Sequence, residues 1–173
     1  KSLEGKQYDH VSEKGKTYRR TKITKECYEL ILFMRNTYVR PTDIKLLRHT
    51  DIHVIKRKHE ATNTEVELLE LRHEKTKGHK QHMVSNEHAT KHYNSMLEIR
   101  SKREGFSRDE HLFSPEITNR DYALKQLTRQ FNAVLEACEL KTDAGGNNRT
   151  LYSLRHTAIT TALRDGLSYD IVA

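Results

Sequence analysis

Residues 52–84 read IHVIKRKHEATNTEVELLELRHEKTKGHKQHMV, and their apolar positions follow the twofold period of β-strands. Three segments carry this pattern, at residues 52–55, 66–71 and 83–84. The connections between them are short, and the second, residues 75–79, is a glycine turn rich in cations. Because short connections favour antiparallel neighbours, the stretch predicts a three-stranded antiparallel meander.

Helical spacing of apolar residues flanks this meander on both sides. Thr24 is placed as the N-cap of a helix that runs to about Asn36, and Pro41 is placed to open a short second helix. Three longer helices are predicted further on, over residues 87–103, 124–138 and 153–164. The predicted fold class is therefore α+β, mainly helical with one small three-stranded antiparallel sheet.

A length of 173 residues suits a single domain, which we place over residues 23–173. Residues 1–22 are polar and basic without an apolar period, so we expect an irregular leader or linker stub there. The pattern of another helix begins at Ser168. Since the chain starts at Lys1 with no signal-peptide pattern, we expect it to be a fragment.

The charge balance points to a polyanionic partner. Lys and Arg number 31 against 24 Asp and Glu, which gives a formal net charge of +7. The longest wholly apolar run covers only residues 30–34, which excludes a membrane-spanning helix.

Cysteine usage adds a second exclusion. Cys27 and Cys138 are far apart and lie in different helical patterns, so they form neither a disulfide framework nor a spaced-pair zinc motif. We expect both to be reduced core residues of a cytoplasmic protein, with Cys138 on the apolar stripe of its helix. The histidine pairs at short spacing match no familiar metal pattern, so no functional metal and no cofactor are expected.

Cations stand at three places that solubility alone does not explain. Arg40 lies at a helix start beside Pro41, lysines cluster in the turn at residues 75–80, and Arg155 lies inside an otherwise apolar helix. A guanidinium can form two parallel hydrogen bonds to phosphate oxygens, which makes two arginines and a lysine suitable for phosphate chemistry. Spacing alone does not show that these groups meet.

Two motifs resemble the arginine boxes of the tyrosine recombinases, the phage-type integrases. The segment VRPTDI at residues 39–44 resembles the first box, and LYSLRHTA at residues 151–158 resembles the second, whose usual core is Leu-Arg-His-Thr. The two boxes stand in the family's order, with a strand pattern and a lysine turn between them. The resemblance covers roughly residues 23–173 and implies the catalytic-domain fold of that family.

The resemblance implies a mechanism in which a tyrosine attacks a DNA phosphate and forms a 3′-phosphotyrosyl linkage. Arg40 and Arg155 would hold the nonbridging oxygens, and a turn lysine would protonate the departing 5′-oxygen. Lys77 fits that lysine best, and Lys75 is the alternative. Asp43 would brace Arg40 or the helix start, where a carboxylate also suits the helix dipole.

The chain also departs from the family pattern. Tyr152 stands where the family usually has His or Lys, and it can offer a phosphate a single hydrogen bond. His156 is expected to be a supporting histidine that forms a hydrogen bond within the fold. The family's second His or Trp and its nucleophilic tyrosine are expected beyond residue 173, and Tyr169 has the wrong surroundings for that role. By itself the chain is therefore expected to bind DNA without cleaving it.

The expected function is site-specific DNA recombination, with double-stranded DNA as partner and a homotetramer forming on DNA when the protein is complete. Two alternatives remain open: an integrase-like DNA-binding module without chemistry, and DNA relaxation of the type IB topoisomerase kind. Tyr152 keeps the first alternative open. The wording of the boxes favours the integrase.

Overall fold

The computed structural model describes residues 2–11, 17–58, 63–74 and 80–166. Along the chain the elements are β1 (Gln7–Val11), β2 (Thr17–Lys22), α1 (Lys25–Thr37), α2 (Pro41–Ile44), β3 (Ile52–Lys58), β4 (Glu65–Glu74), β5 (Lys80–Val84), α3 (His88–Ser101), α4 (Arg120–Ala137) and α5 (Leu151–Arg164). One turn of 3-10 helix, His49–Asp51, leads into β3. This mixture of helices and a small sheet confirms the α+β prediction.

The three central strands form one antiparallel sheet in the order β3-β4-β5, which confirms the predicted meander. Its register places Ile52 opposite Leu71, and Leu71 opposite Met83. Ile52 and Leu71 are buried and Met83 is partly buried, so this row of side chains faces the helices. The alternating apolar residues therefore mark the core face around Ile52 and Leu71, whereas Val54, on the same face of β3, is 44% exposed.

Helix α1 lies at the centre of the core. The side chain of Thr24 accepts a hydrogen bond from the Cys27 backbone N–H at 3.3 Å, which confirms it as the N-cap. Phe33 of α1 meets Phe113 edge to face, with ring centroids 5.8 Å apart. The same core includes Leu30, Met34, Leu69, Leu71, Tyr93, Met96, Leu112, Leu127 and Phe131.

The N-terminal segment differs from its prediction. Residues 1–22 were expected to be irregular, but β1 and β2 pair as an antiparallel hairpin with Asp9 opposite Arg20. Backbone hydrogen bonds from Gly5 to Ile23 and from Ile23 to Lys6 continue this pairing up to the start of α1. Strands pair through backbone hydrogen bonds, which do not require a regular spacing of apolar residues. The prediction relied on that spacing and therefore did not detect the hairpin.

The prediction that Cys138 is a core residue is wrong. It is the C-cap residue of α4 and is exposed, whereas Cys27 is buried as expected. The next residue, Glu139, adopts a positive φ of 57°, which turns the chain away from the helix axis. The apolar stripe of α4 therefore ends before Cys138, and Leu135 is its last buried member.

Two predictions fall outside the described residues: the lysine turn at residues 75–79 and the helix expected from Ser168. Within the described ranges, no helix combines the length and the apolar character needed to cross a membrane.

Candidate phosphate-binding site

Arg40 occupies the N-cap position of α2, with Pro41 at the first helical position as predicted. Its backbone carbonyl accepts the Asp43 N–H at 3.0 Å, which closes the first turn. Its side chain is partly exposed, yet its Nε is buried and makes no hydrogen bond within the described part of the chain. The guanidinium of Arg40 thus holds a donor for which the described protein supplies no acceptor.

Asp43 lies in the same turn and is only 2% exposed. Its backbone carbonyl accepts the N–H groups of Leu46 and Leu47 at 3.0 and 3.2 Å. The carboxylate sits near the N-terminal end of α2, where the backbone N–H groups favour negative charge. The bracing of Arg40 or of the helix start by Asp43 stays a prediction.

Arg155 lies on the inner face of α5. That helix begins at Leu151, two residues before the predicted start, and the Thr150 backbone N–H donates to the Ser153 hydroxyl at 3.0 Å. Arg155 is 5% exposed, and its Nη1 donates to the backbone carbonyl oxygen of Tyr38. Arg155, in the second turn of α5, therefore places its positive charge at the C-terminal end of α1.

The two predicted arginines lie close enough to interact electrostatically. Burial lowers the pKa of Arg155 from its usual value, and the positive charge of Arg40 lowers it further. The Tyr152 hydroxyl, which accepts a hydrogen bond from Arg155, and the Asp43 carboxylate both act in the opposite direction. The fold thus brings Arg40, Asp43 and Tyr152 within electrostatic reach of Arg155, although the sequence separates the two boxes widely.

Tyr152 and His156 stand one turn apart at the outer edge of this cluster. Their rings pack in a T-shaped arrangement, with centroids 4.8 Å apart and planes at 72°. Tyr152 is 44% exposed and His156 is exposed, so His156 lies on the surface rather than within the fold as expected. The exposed pair flanks the buried guanidinium of Arg155.

A groove of about 300 Å³ opens beside the cluster, between α2, α4 and α5. Its walls include Pro41 and Thr42, which follow Arg40 in the chain, and Tyr152, which contacts Arg155. Leu124 and Thr128 of α4 close the other side. The cluster therefore lies next to an open depression.

Sequence reasoning missed the part that Tyr38 plays at this site. Its carbonyl is the acceptor for Arg155, and a backbone acceptor leaves no signature in the residue type. Lys75 and Lys77 lie outside the described residues, so the identity of the lysine stays a prediction.

The described histidines provide no metal centre. His92 Nδ1 lies 2.9 Å from a carboxylate oxygen of Glu29, and His82 Nε2 lies 2.6 Å from one of Glu70. Across the described ranges no group of three or more His, Cys, Asp or Glu side chains is arranged to hold a metal ion.

Comparison of the chain with protein-family models, with curated proteins and with solved structures gives no match.

Proposed function

We propose that this chain is the phosphate-binding part of a tyrosine recombinase catalytic domain, which breaks and rejoins duplex DNA. The observation that carries the proposal is that the partly exposed Arg40 lies within electrostatic reach of the buried Arg155, whose guanidinium donates to the backbone carbonyl two residues before Arg40. Two like charges brought together away from water repel each other, and a bound anion relieves that repulsion.

The chemistry of the donors favours a phosphate as this anion. Arg40 has a buried Nε that finds no acceptor in the described protein, and Arg155 is held by Tyr38 and Tyr152. Planar guanidinium groups match pairs of phosphate oxygens, and the net charge of +7 favours a polyanion over a free phosphate monoester.

The proposed reaction is phosphoryl transfer. A tyrosine hydroxyl releases its proton to solvent, its oxygen attacks phosphorus, and the bond to the 5′-oxygen breaks. The departing oxygen takes a proton from Lys77, with Lys75 as the alternative, and the lysine regains a proton from solvent. Arg40 and Arg155 stabilise the negative charge that grows on the nonbridging oxygens, and they are positioned before the reaction begins. We assign no residue of this chain as the attacking tyrosine.

Tyr152 contributes a hydrogen bond rather than a proton. Its hydroxyl accepts from Arg155, so it orients that guanidinium, and its O–H can donate one hydrogen bond to a phosphate oxygen. Tyr152→Phe is therefore expected to weaken catalysis less than the loss of either arginine.

The test of catalysis is a covalent-trapping assay with the complete product of the gene that encodes this chain. DNA carrying the protein's recombination site, with a nick placed so that the cleaved end diffuses away, is expected to accumulate a covalent protein–DNA adduct. Arg155→Ala is expected to lower adduct formation by at least about a hundredfold, the usual cost of losing a transition-state charge partner.

Arg164→Ala is the matched control, because Arg164 lies on the same helix but is exposed at its last turn. It is expected to leave the adduct yield unchanged. Substantial cleavage by Arg155→Ala would contradict the proposal. Tight DNA binding with no adduct would favour a DNA-binding module without chemistry, and relaxation of supercoiled DNA without strand exchange would favour a topoisomerase.

A further inference from the structure

Tyr38 has a backbone conformation that side-chain-bearing residues rarely adopt. It is the C-cap of α1, with φ 58° and ψ 6° in the left-handed region. This region is disfavoured for every residue with a Cβ atom, and glycine or asparagine usually fills it at a helix end. Such a conformation persists only where the surroundings impose it.

The surroundings of the Tyr38 ring are on α5. The side chain is 8% exposed and packs against Ala158 and Ala162, both almost fully buried. These two alanines are four positions apart and so lie on one face of the helix. Their small side chains leave the space that the ring fills.

The left-handed turn sends the Tyr38 carbonyl oxygen to Arg155. Arg155 precedes Ala158 by three residues, so its side chain leaves α5 on the face that carries the ring of Tyr38. The carbonyl at a helix C-terminus lacks a partner within the helix, and the guanidinium provides one. Arg40 follows Tyr38 by two residues, so the carbonyl that binds Arg155 is close to Arg40 in the sequence.

We infer that Tyr38 is a positioning residue for the arginine pair: its ring locks α1 onto α5, and its carbonyl fixes the guanidinium of Arg155 beside Arg40. This inference deepens the proposed function. Its consequence for DNA binding rests on that proposed function, whereas the position of Arg155 in the free protein does not. The geometric part concerns Arg155 in the free protein.

The first experiment measures that geometry without DNA. In ¹⁵N-arginine NMR spectra, the Nη–H groups of Arg155 are expected to exchange slowly with water in the wild type and in Tyr38→Phe, which keeps the ring. The signals are assigned by their loss in Arg155→Lys. Tyr38→Gly keeps the left-handed backbone accessible but removes the ring, and it is expected to abolish the slow exchange in a folded protein.

Leu135→Ala is the control for lost stability, because Leu135 is buried on α4 in the main core and does not belong to the cluster of Tyr38, Ala158 and Ala162. It is expected to leave the Arg155 signals unchanged. If Tyr38→Gly fails to fold, Ala162→Leu, which fills the space for the ring, is measured instead with the same expectation. Slow exchange retained in the folded variant would overturn the inference.

The second experiment is a double-mutant cycle on affinity for duplex DNA. Tyr38→Gly is expected to weaken binding about fivefold and Arg155→Ala about tenfold, in the range for the net contribution of one hydrogen bond. The double variant is expected to bind no more weakly than Arg155→Ala alone. Additive losses would contradict a role for Tyr38 through Arg155, whereas slow exchange of Arg155 in a protein that binds no DNA would count against the proposed function alone.

Discussion

Among single residues, His49 is a buried titratable group that lies outside the proposed phosphate site. It is fully buried, and its ring contacts Phe106 edge to face and Tyr93 at a tilt. Burial, together with the positive charges of Arg100 and Arg108, lowers its pKa to about 4. Neither ring nitrogen has a hydrogen-bond partner among the described residues. His49 is therefore neutral in the folded protein near pH 7.

This pKa predicts an acid-sensitive fold. The folded pKa of about 4 lies below the usual value of 6.5, so the stabilisation is complete above pH 6.5 and is lost as the pH falls toward 4. The loss attributable to His49 is roughly 3 kcal/mol. Urea unfolding of the wild type and of His49→Phe at pH 7 and pH 4 measures it. An equal decrease for both proteins would show that His49 does not contribute.

At the scale of elements, Thr24 links the start of α1 to α4. Its hydroxyl accepts the Cys27 N–H and donates to the Gln130 side-chain carbonyl at 2.9 Å. Thr24→Ala is expected to lower the free energy of unfolding by about 2 kcal/mol, from the lost cap and the lost interhelical hydrogen bond. Thr24→Ser keeps both contacts and is expected to cost well under half as much. Equal losses in urea unfolding would contradict this account.

The elements also show what the sequence could and could not predict. Thr24, Pro41 and the apolar period of residues 52–84 are local signals, and each predicted its element correctly. The β1–β2 hairpin has no such signal, since its strands pair through backbone groups and polar residues. The exposure of Cys138 depends on where α4 ends, which the turn at Glu139 decides.

In the candidate site, too, the identities of residues could be predicted from local sequence, whereas their arrangement in space could not. The two boxes identified Arg40 and Arg155 as residues, but their electrostatic proximity depends on how α1, α2 and α5 pack. The role of Tyr38 depends on a backbone angle and on the two alanines opposite its ring. Neither follows from the spacing of residues along the chain.

At the scale of the whole molecule, the net positive charge and the arginine cluster make separate contributions to DNA binding. The charge of +7 attracts any polyanion, and this attraction weakens as salt rises. A specific phosphate contact adds to this effect, because each neutralised phosphate releases counterions. The slope of log affinity against log salt concentration is therefore proportional to the number of phosphate contacts. A change of slope in a variant distinguishes the loss of a contact made by the arginine cluster from a change in general electrostatic attraction.

The most direct test measures that slope for duplex DNA with the wild type, Arg40→Gln, Arg155→Gln and Lys102→Gln. Lys102 is the matched control, since it is exposed beyond the end of α3 and pairs with Glu98. We expect each arginine variant to reduce the magnitude of the slope by about 1, and Lys102→Gln to leave it nearly unchanged. The same slope in all four proteins would contradict a phosphate site formed by Arg40 and Arg155.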